Sequence, residues 1–149
     1  MWTVEACDIA DPDGAALLRA YFVEIVDRYW GRPMPAFEVD QAMAEEPSDG
    51  LAAFVVARFD GVPAGCAGLW PSGELTRVFV APAYRRRGGG RVLLDAIEDA
   101  ARSLGLLRVR LDTRSDLTEA RSLYLACGYA EVPAFSSGPY SEHWFEKEL

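Results

Sequence analysis

Arg85-Arg86-Arg87-Gly88-Gly89-Gly90-Arg91 is the run in this chain best suited to hold a ligand. Four arginines in seven positions supply fixed positive charge and forked donors. Three glycines let the backbone take positive φ and approach a ligand without Cβ clashes. Leu93, Ile97, Ala100, Ala101 and Leu104 then recur at helical spacing, so a helix begins at the run. Its first turn points unpaired N–H groups and the positive end of its dipole at one spot. The chemistry described is anion capture, with phosphate the best fit. No Gly-x-x-x-x-Gly-Lys-Ser/Thr run and no Gly-x-Gly-x-x-Gly fingerprint occurs, so the P-loop and the dinucleotide turn are excluded. Other chemistries have little to draw on. Cys7, Cys66 and Cys127 are widely spaced and form no C-x-x-C pair, and His143 is the single histidine. No metal-ligand cluster follows, and lone cysteines with apolar neighbours read as small buried side chains rather than nucleophiles.

The elements that must position this run are legible on both sides. Before it, Glu74 to Val80 reads as a strand, stopped by Pro82, which cannot donate to a ladder. After it, the helix runs from about Gly88 to Leu104 and closes at Gly105. Upstream, Val4 to Ile9 is a strand. Asp11-Pro12-Asp13 opens a helix that Gly31-Arg32-Pro33 ends, and Phe37 to Glu46 is a second short helix. The link from Tyr29 to Phe37, rich in aromatics, fits a wall of a pocket. Leu51–Phe59 and Val62–Trp70 are strands joined by the hairpin turn Asp60-Gly61. Downstream, Leu106–Leu111 is a strand. Asp116-Leu117-Thr118-Glu119 has the layout of a capping box opening a helix that stops at Gly128. Tyr129–Phe135 and Glu142–Leu149 are the last strands. The order βααβββαβαββ predicts an α/β fold, with a mixed central β-sheet flanked by helices.

With 149 residues, the chain fits one domain, 1–149, which buries about 70% of its unfolded surface. No apolar run approaches the ~18 residues of a membrane span, so no membrane partner is expected. The start, MWTVEACDIADPDG, lacks a signal pattern, and the expected compartment is the cytoplasm. A net charge of −8 argues against a nucleic-acid partner and suits a small cationic substrate.

The pattern Arg85-x-x-Gly88-x-Gly90, preceded by Val78-Phe79-Val80 and followed by Leu93-Leu94, resembles the acyl-CoA-binding motif of the GCN5-related N-acetyltransferase superfamily. The segment Glu119–Tyr129, with Ala120, Leu123, Tyr124 and Gly128, resembles a second motif of that family, and the element order matches along nearly the whole chain. One departure is Leu117, where many members carry an asparagine that contacts the pantetheine arm.

The resemblance implies acetyl-CoA as cosubstrate. Its diphosphate would be held by the turn formed by Arg85, Arg86, Arg87, Gly88, Gly89, Gly90 and Arg91, with Val78, Phe79 and Val80 alongside. It implies an acetyltransferase acting on a small-molecule or peptide amine, directly in a ternary complex; dimerisation is common in the family, and the C-terminal strands of this chain offer a surface for a homodimer. An amine with pKa near 10 is protonated at pH 7, and removing its proton costs roughly 4 kcal/mol. A carboxylate near the acceptor, directly or through water, could take that proton. Glu74 is the first candidate by resemblance, with Glu38, Glu24 and Glu142 behind it. Tyr124 fits the donor that protonates the leaving thiolate, and in the family this tyrosine faces the sulfur. Backbone N–H groups of Val78 or Val80 would stabilise charge on the thioester oxygen, provided this strand and Leu106–Leu111 lie parallel and splay apart. Two other readings use the same residues: a non-catalytic CoA-binding module, and an unrelated α/β phosphate binder taking a nucleotide.

Overall fold

The Asp11 side chain accepts from the Asp13 N–H at 3.0 Å and so opens the first long helix, which Gly31 closes in the left-handed conformation. The computed structural model describes residues 1–149. Its elements are β1 (Trp2–Ala6), α1 (Pro12–Trp30), α2 (Ala36–Glu45), β2 (Ala53–Phe59), β3 (Val62–Leu69), β4 (Leu75–Val80), a 3-10 turn at Pro82–Tyr84, α3 (Gly89–Ser103), β5 (Arg108–Thr113), α4 (Thr118–Ala126), β6 (Ala130–Val132) and β7 (His143–Glu148). The element order is the one read from the sequence. No helix is long and apolar enough to cross a membrane.

The sheet has two antiparallel parts, ordered β1-β2-β3-β4 and β5-β7-β6. A single parallel bridge between Glu74 and Arg110 joins them, with the Arg110 N–H donating to the Gly73 carbonyl at 3.0 Å. Beyond that bridge no ladder links β4 to β5. The two parallel strands part, and β4 keeps an open edge.

The largest core packs α3 against both parts of the sheet, with Leu93, Leu94, Ile97, Leu111 and Phe145 almost fully buried. Each such side chain contributes roughly 1.5–3 kcal/mol of transfer free energy. A second core places Leu17 and Leu18 of α1 on Phe54, Cys66 and Phe79. Phe22, Val26 and Val39 tie α1 to α2. Helices thus cover both faces of the sheet, and the gap between β4 and β5 is left to be walled by α1, α2 and α4.

Three expectations need correction. The capping box does not form at α4, because the Asp116 carboxylate is held by Arg114 at 2.9 Å through two contacts, and Glu119 is taken by Arg28 of α1. Leu117 stands at the cap with no side-chain bond. The strand expected over Tyr129–Phe135 shrinks to Ala130–Val132, since Pro133 offers no N–H to continue the ladder. Of the three glycines at the turn, only Gly88 has positive φ, at 84°. Gly89 and Gly90 are needed for space. A Cβ on Gly89 would lie 2.6 Å from the Trp2 ring, and one on Gly90 would lie 2.7 Å from Leu123 of α4.

Candidate active site

Gly88 turns the chain so that α3 begins with its backbone donors facing outward. The first helical bond is Val92 N–H to the Gly88 carbonyl at 3.2 Å. The N–H groups of Arg86, Arg87, Gly88, Gly89, Gly90 and Arg91 donate to no acceptor in the protein. Six consecutive unpaired donors at the positive end of a 15-residue helix make a strong anion cradle. Nothing lies within 4 Å of a Cβ built on Gly88, so that side of the turn is open.

The four arginines divide the work. Arg86 is exposed and makes no side-chain bond, which leaves its guanidinium free for an anion. Its own φ of 64° helps form the turn. Arg85 instead braces the end of β4, with Nε on the Val80 carbonyl at 2.8 Å and Nη2 on Glu24 of α1 at 2.6 Å. Arg91 reaches the Ala126 carbonyl at the end of α4, at 3.3 Å. Arg87 stacks on Phe59, its carbonyl accepts from the Trp2 indole at 2.8 Å, and it stands outside the cavity wall.

One cavity of about 1500 Å³ runs from this turn through the gap between β4 and α4 to the space between α1 and α2. Val78, Phe79 and Val80 line its middle, with Phe79 also packed into the core under α1. Across from them, Leu117, Leu123 and Tyr124 of α4 form the other wall. Tyr124 is 6% exposed, and its hydroxyl opens on the cavity without a hydrogen bond inside the protein. Burial pushes its phenol well above the usual range, so it stays a proton donor through neutral and mildly alkaline pH.

At the far end the cavity turns acidic. Glu74 lies in the wall and its carboxylate has no ion-pair or hydrogen-bond partner, and Glu38 lines the same end. Glu24 is spent on Arg85. Glu142 lies outside the lining, where it accepts from the Ser115 N–H at 3.0 Å and holds a loop. The structure thus gathers Tyr124, Glu74, the glycine turn and β4 around one space, and leaves Arg87 and Glu142 out of it.

Three wall residues were missed in the sequence. Arg77, in the middle of β4, takes φ 55° where the ladder slips: Cys66 still opposes Phe79, but Gly68 opposes Thr76. This β-bulge turns its guanidinium into the wall. Arg114 is buried, pairs with Asp116, donates to the Ile25 carbonyl at 3.1 Å, and ties the loop before α4 to α1. Tyr21 faces the cavity with its phenol pushed up to about 12 by burial. Their place in the wall has no local signal, because it depends on segments far away in sequence, as with Ser48 for Arg77 and Ile25 for Arg114.

Comparisons with known proteins show the family and the fold. The sequence model described as Acetyltransferase (GNAT) family matches residues 16–129. The chain belongs to this family. It is 35% identical over 126 residues to the IAA acetyltransferase of Azospirillum brasilense, covering 79% of each protein. It is 41% identical over 106 residues to the amino-acid acetyltransferase of Azotobacter vinelandii, but spans only 24% of that longer protein. Among solved structures, a GNAT family acetyltransferase from Elizabethkingia anophelis with acetyl-CoA bound shares the fold, with TM-score 0.66 at 17% identity, covering 99% of this chain and 98% of that one.

Proposed function

We propose that the chain transfers an acetyl group from acetyl-CoA to the primary amine of a small molecule or peptide, with both substrates bound together. The observation that carries this reading is the row of six unpaired N–H groups at one end of a cavity whose middle holds the unpaired Tyr124 hydroxyl and whose far end holds the unpaired Glu74 carboxylate. A diphosphate fits the cradle, and Arg86 adds a free guanidinium. When bound, acetyl-CoA supplies an acyl carbonyl open to attack and a thiolate leaving group.

The chain's own residues supply the rest. Glu74 takes the proton from the acceptor ammonium, directly or through one water. The open edge of β4 beyond the Glu74–Arg110 bridge presents N–H groups to the negative charge that develops on the acyl oxygen. Tyr124 donates to the departing sulfur from a site that burial keeps protonated. Arg85 holds β4 and α1 in place through the Val80 carbonyl and Glu24. The names of the relatives, an IAA acetyltransferase and amino-acid acetyltransferases, favour a small acceptor. The reading places the chain in the cytoplasm.

The test is a thiol-release screen with acetyl-CoA against small amines, polyamines, aminoglycosides and peptide N-termini. Release of CoA that depends on one class of amine is expected. Tight CoA binding with no release in any case would replace this reading with that of a CoA-binding module on the same fold.

A further inference from the structure

Three charged side chains are less than a tenth exposed: Arg77, Glu98 and Arg114. Glu98 is met by Lys147 at 2.8 Å, and Arg114 by Asp116 at 2.9 Å. Arg77, 5% exposed, has no carboxylate partner at all. Its Nε donates to the Ser48 hydroxyl at 2.8 Å, its Nη1 to the Thr76 hydroxyl at 2.8 Å, and its Nη2 to the Glu46 carbonyl at 2.9 Å. All three acceptors are neutral. A guanidinium carries five N–H donors, so two remain unspent. Phe22 and Trp70 place their rings 5.3 and 5.1 Å from its central carbon, and these rings and Arg77 all line the cavity at the Glu74 end.

A buried cation without a counter-ion is costly, and so is an arginine in the left-handed region. Glycine would relax that backbone, yet the position holds a side chain that the bulge aims into the wall. A forked, permanently charged donor whose plane is fixed between two rings fits a carboxylate. We propose that Arg77 binds the carboxylate of the acceptor, so that the substrate is an amino acid or another amine bearing a carboxylate near its amino group. The proposal rests on the transferase reading above and adds the substrate class. Such a zwitterion meets both charges at this end of the cavity, its carboxylate going to Arg77 and its ammonium to Glu74, while the solvent-exposed Glu46 and Asp49 also line that end and add negative charge that favours the ammonium.

The test compares L-methionine, L-phenylalanine and L-lysine with their α-carboxamides as acceptors in the thiol-release assay. The amide's ammonium is the more acidic, so intrinsic reactivity at pH 7 favours the amide, and a preference for the acid must come from the protein. The expected result is a kcat/KM higher for the acid by roughly 10- to 100-fold, the range of a hydrogen bond to a charged group. Arg77→Gln should erase that ratio. Equal use of acid and amide by the unaltered chain, or a ratio that survives Arg77→Gln, would overturn the proposal. Calorimetry of N-acetyl-L-methionine and its amide with the CoA-loaded chain needs no turnover and no variant. Tighter binding of the acid supports the site even if no amine is acetylated, an outcome that would defeat the transferase reading alone. Equal or absent binding of both counts against the site.

Discussion

Replacing Tyr124 by phenylalanine removes one oxygen and leaves the ring where it packs, with centroids 5.9 Å from Phe145 and 6.0 Å from Tyr129. That oxygen has no partner in the protein, so its loss orphans no donor or acceptor. Folding stability should therefore change by less than about 1 kcal/mol, which moves the melting temperature by only a few degrees in a chain of this size. The effect on catalysis should be far larger. A positioned proton donor contributes roughly 10²- to 10⁴-fold, or about 3–5 kcal/mol of barrier. The assay is CoA release at saturating acetyl-CoA with an acceptor found in the screen, run beside a thermal melt of the same preparation. A further sign separates the two proteins at high pH. Burial raises the phenol's pKa in the folded state, so its stabilisation is complete below the unfolded value near 10 and is lost as pH rises towards the folded value. The phenylalanine variant lacks that loss and should resist alkaline unfolding better. A kcat within threefold of the unaltered chain would refute the donor role. A drop in melting temperature beyond about 5 °C would show that the hydroxyl serves the fold instead.

Glu74→Gln should leave the melting temperature unchanged, because the carboxylate pairs with nothing. It should cut kcat at pH 7 by about 10²-fold or more, and the deficit should narrow as pH approaches the amine pKa near 10; a pH-independent deficit would argue against proton removal. Lys147→Met strands the buried Glu98 carboxylate with only the Tyr129 hydroxyl, at 3.0 Å, and should cost about 3 kcal/mol by chemical denaturation, while acetyl-CoA affinity is retained. Glu119 is held by Arg28, and that hydrogen bond lowers its pKa below the ordinary carboxylate value. Its contribution is present above the unfolded pKa and lost as pH falls through the lower folded one. Glu119→Gln should therefore flatten the acid limb of the stability curve as pH falls below the ordinary carboxylate range, by under ~1 kcal/mol, since the pair is largely solvated.

Much of the fold was legible where the signal is local. Asp11, Gly31, Asp60-Gly61, Gly105 and Gly128 mark their turns and helix ends because a cap or a positive φ is decided within a few residues. The turn before α3 was legible for the same reason, though two of its glycines answer to packing by Trp2 and Leu123 rather than to backbone angle. The capping box failed because Arg28 of α1 and Arg114, just after β5, take its two carboxylates, with Arg28 and Glu119 standing 91 residues apart. Arg77 looked like an ordinary strand residue, and only the slipped register against β3 turns it into the cavity. Arg85 and Arg87 carry the charge expected of them, but Val80, Glu24 and Phe59 claim their side chains. Sequence spacing gave the backbone of the site, and tertiary competition decided which side chains remain free to act.

The central claim is that the main-chain donors from Arg86 to Arg91 grip the diphosphate of coenzyme A. A titration of the ¹⁵N-labelled chain with CoA, followed by amide chemical shifts, tests it most directly, with pantetheine as the ligand that lacks the diphosphate. The amides of Gly88, Gly89 and Gly90 should shift strongly with CoA and stay still with pantetheine. Saturable CoA binding that leaves those three amides unmoved would contradict the account.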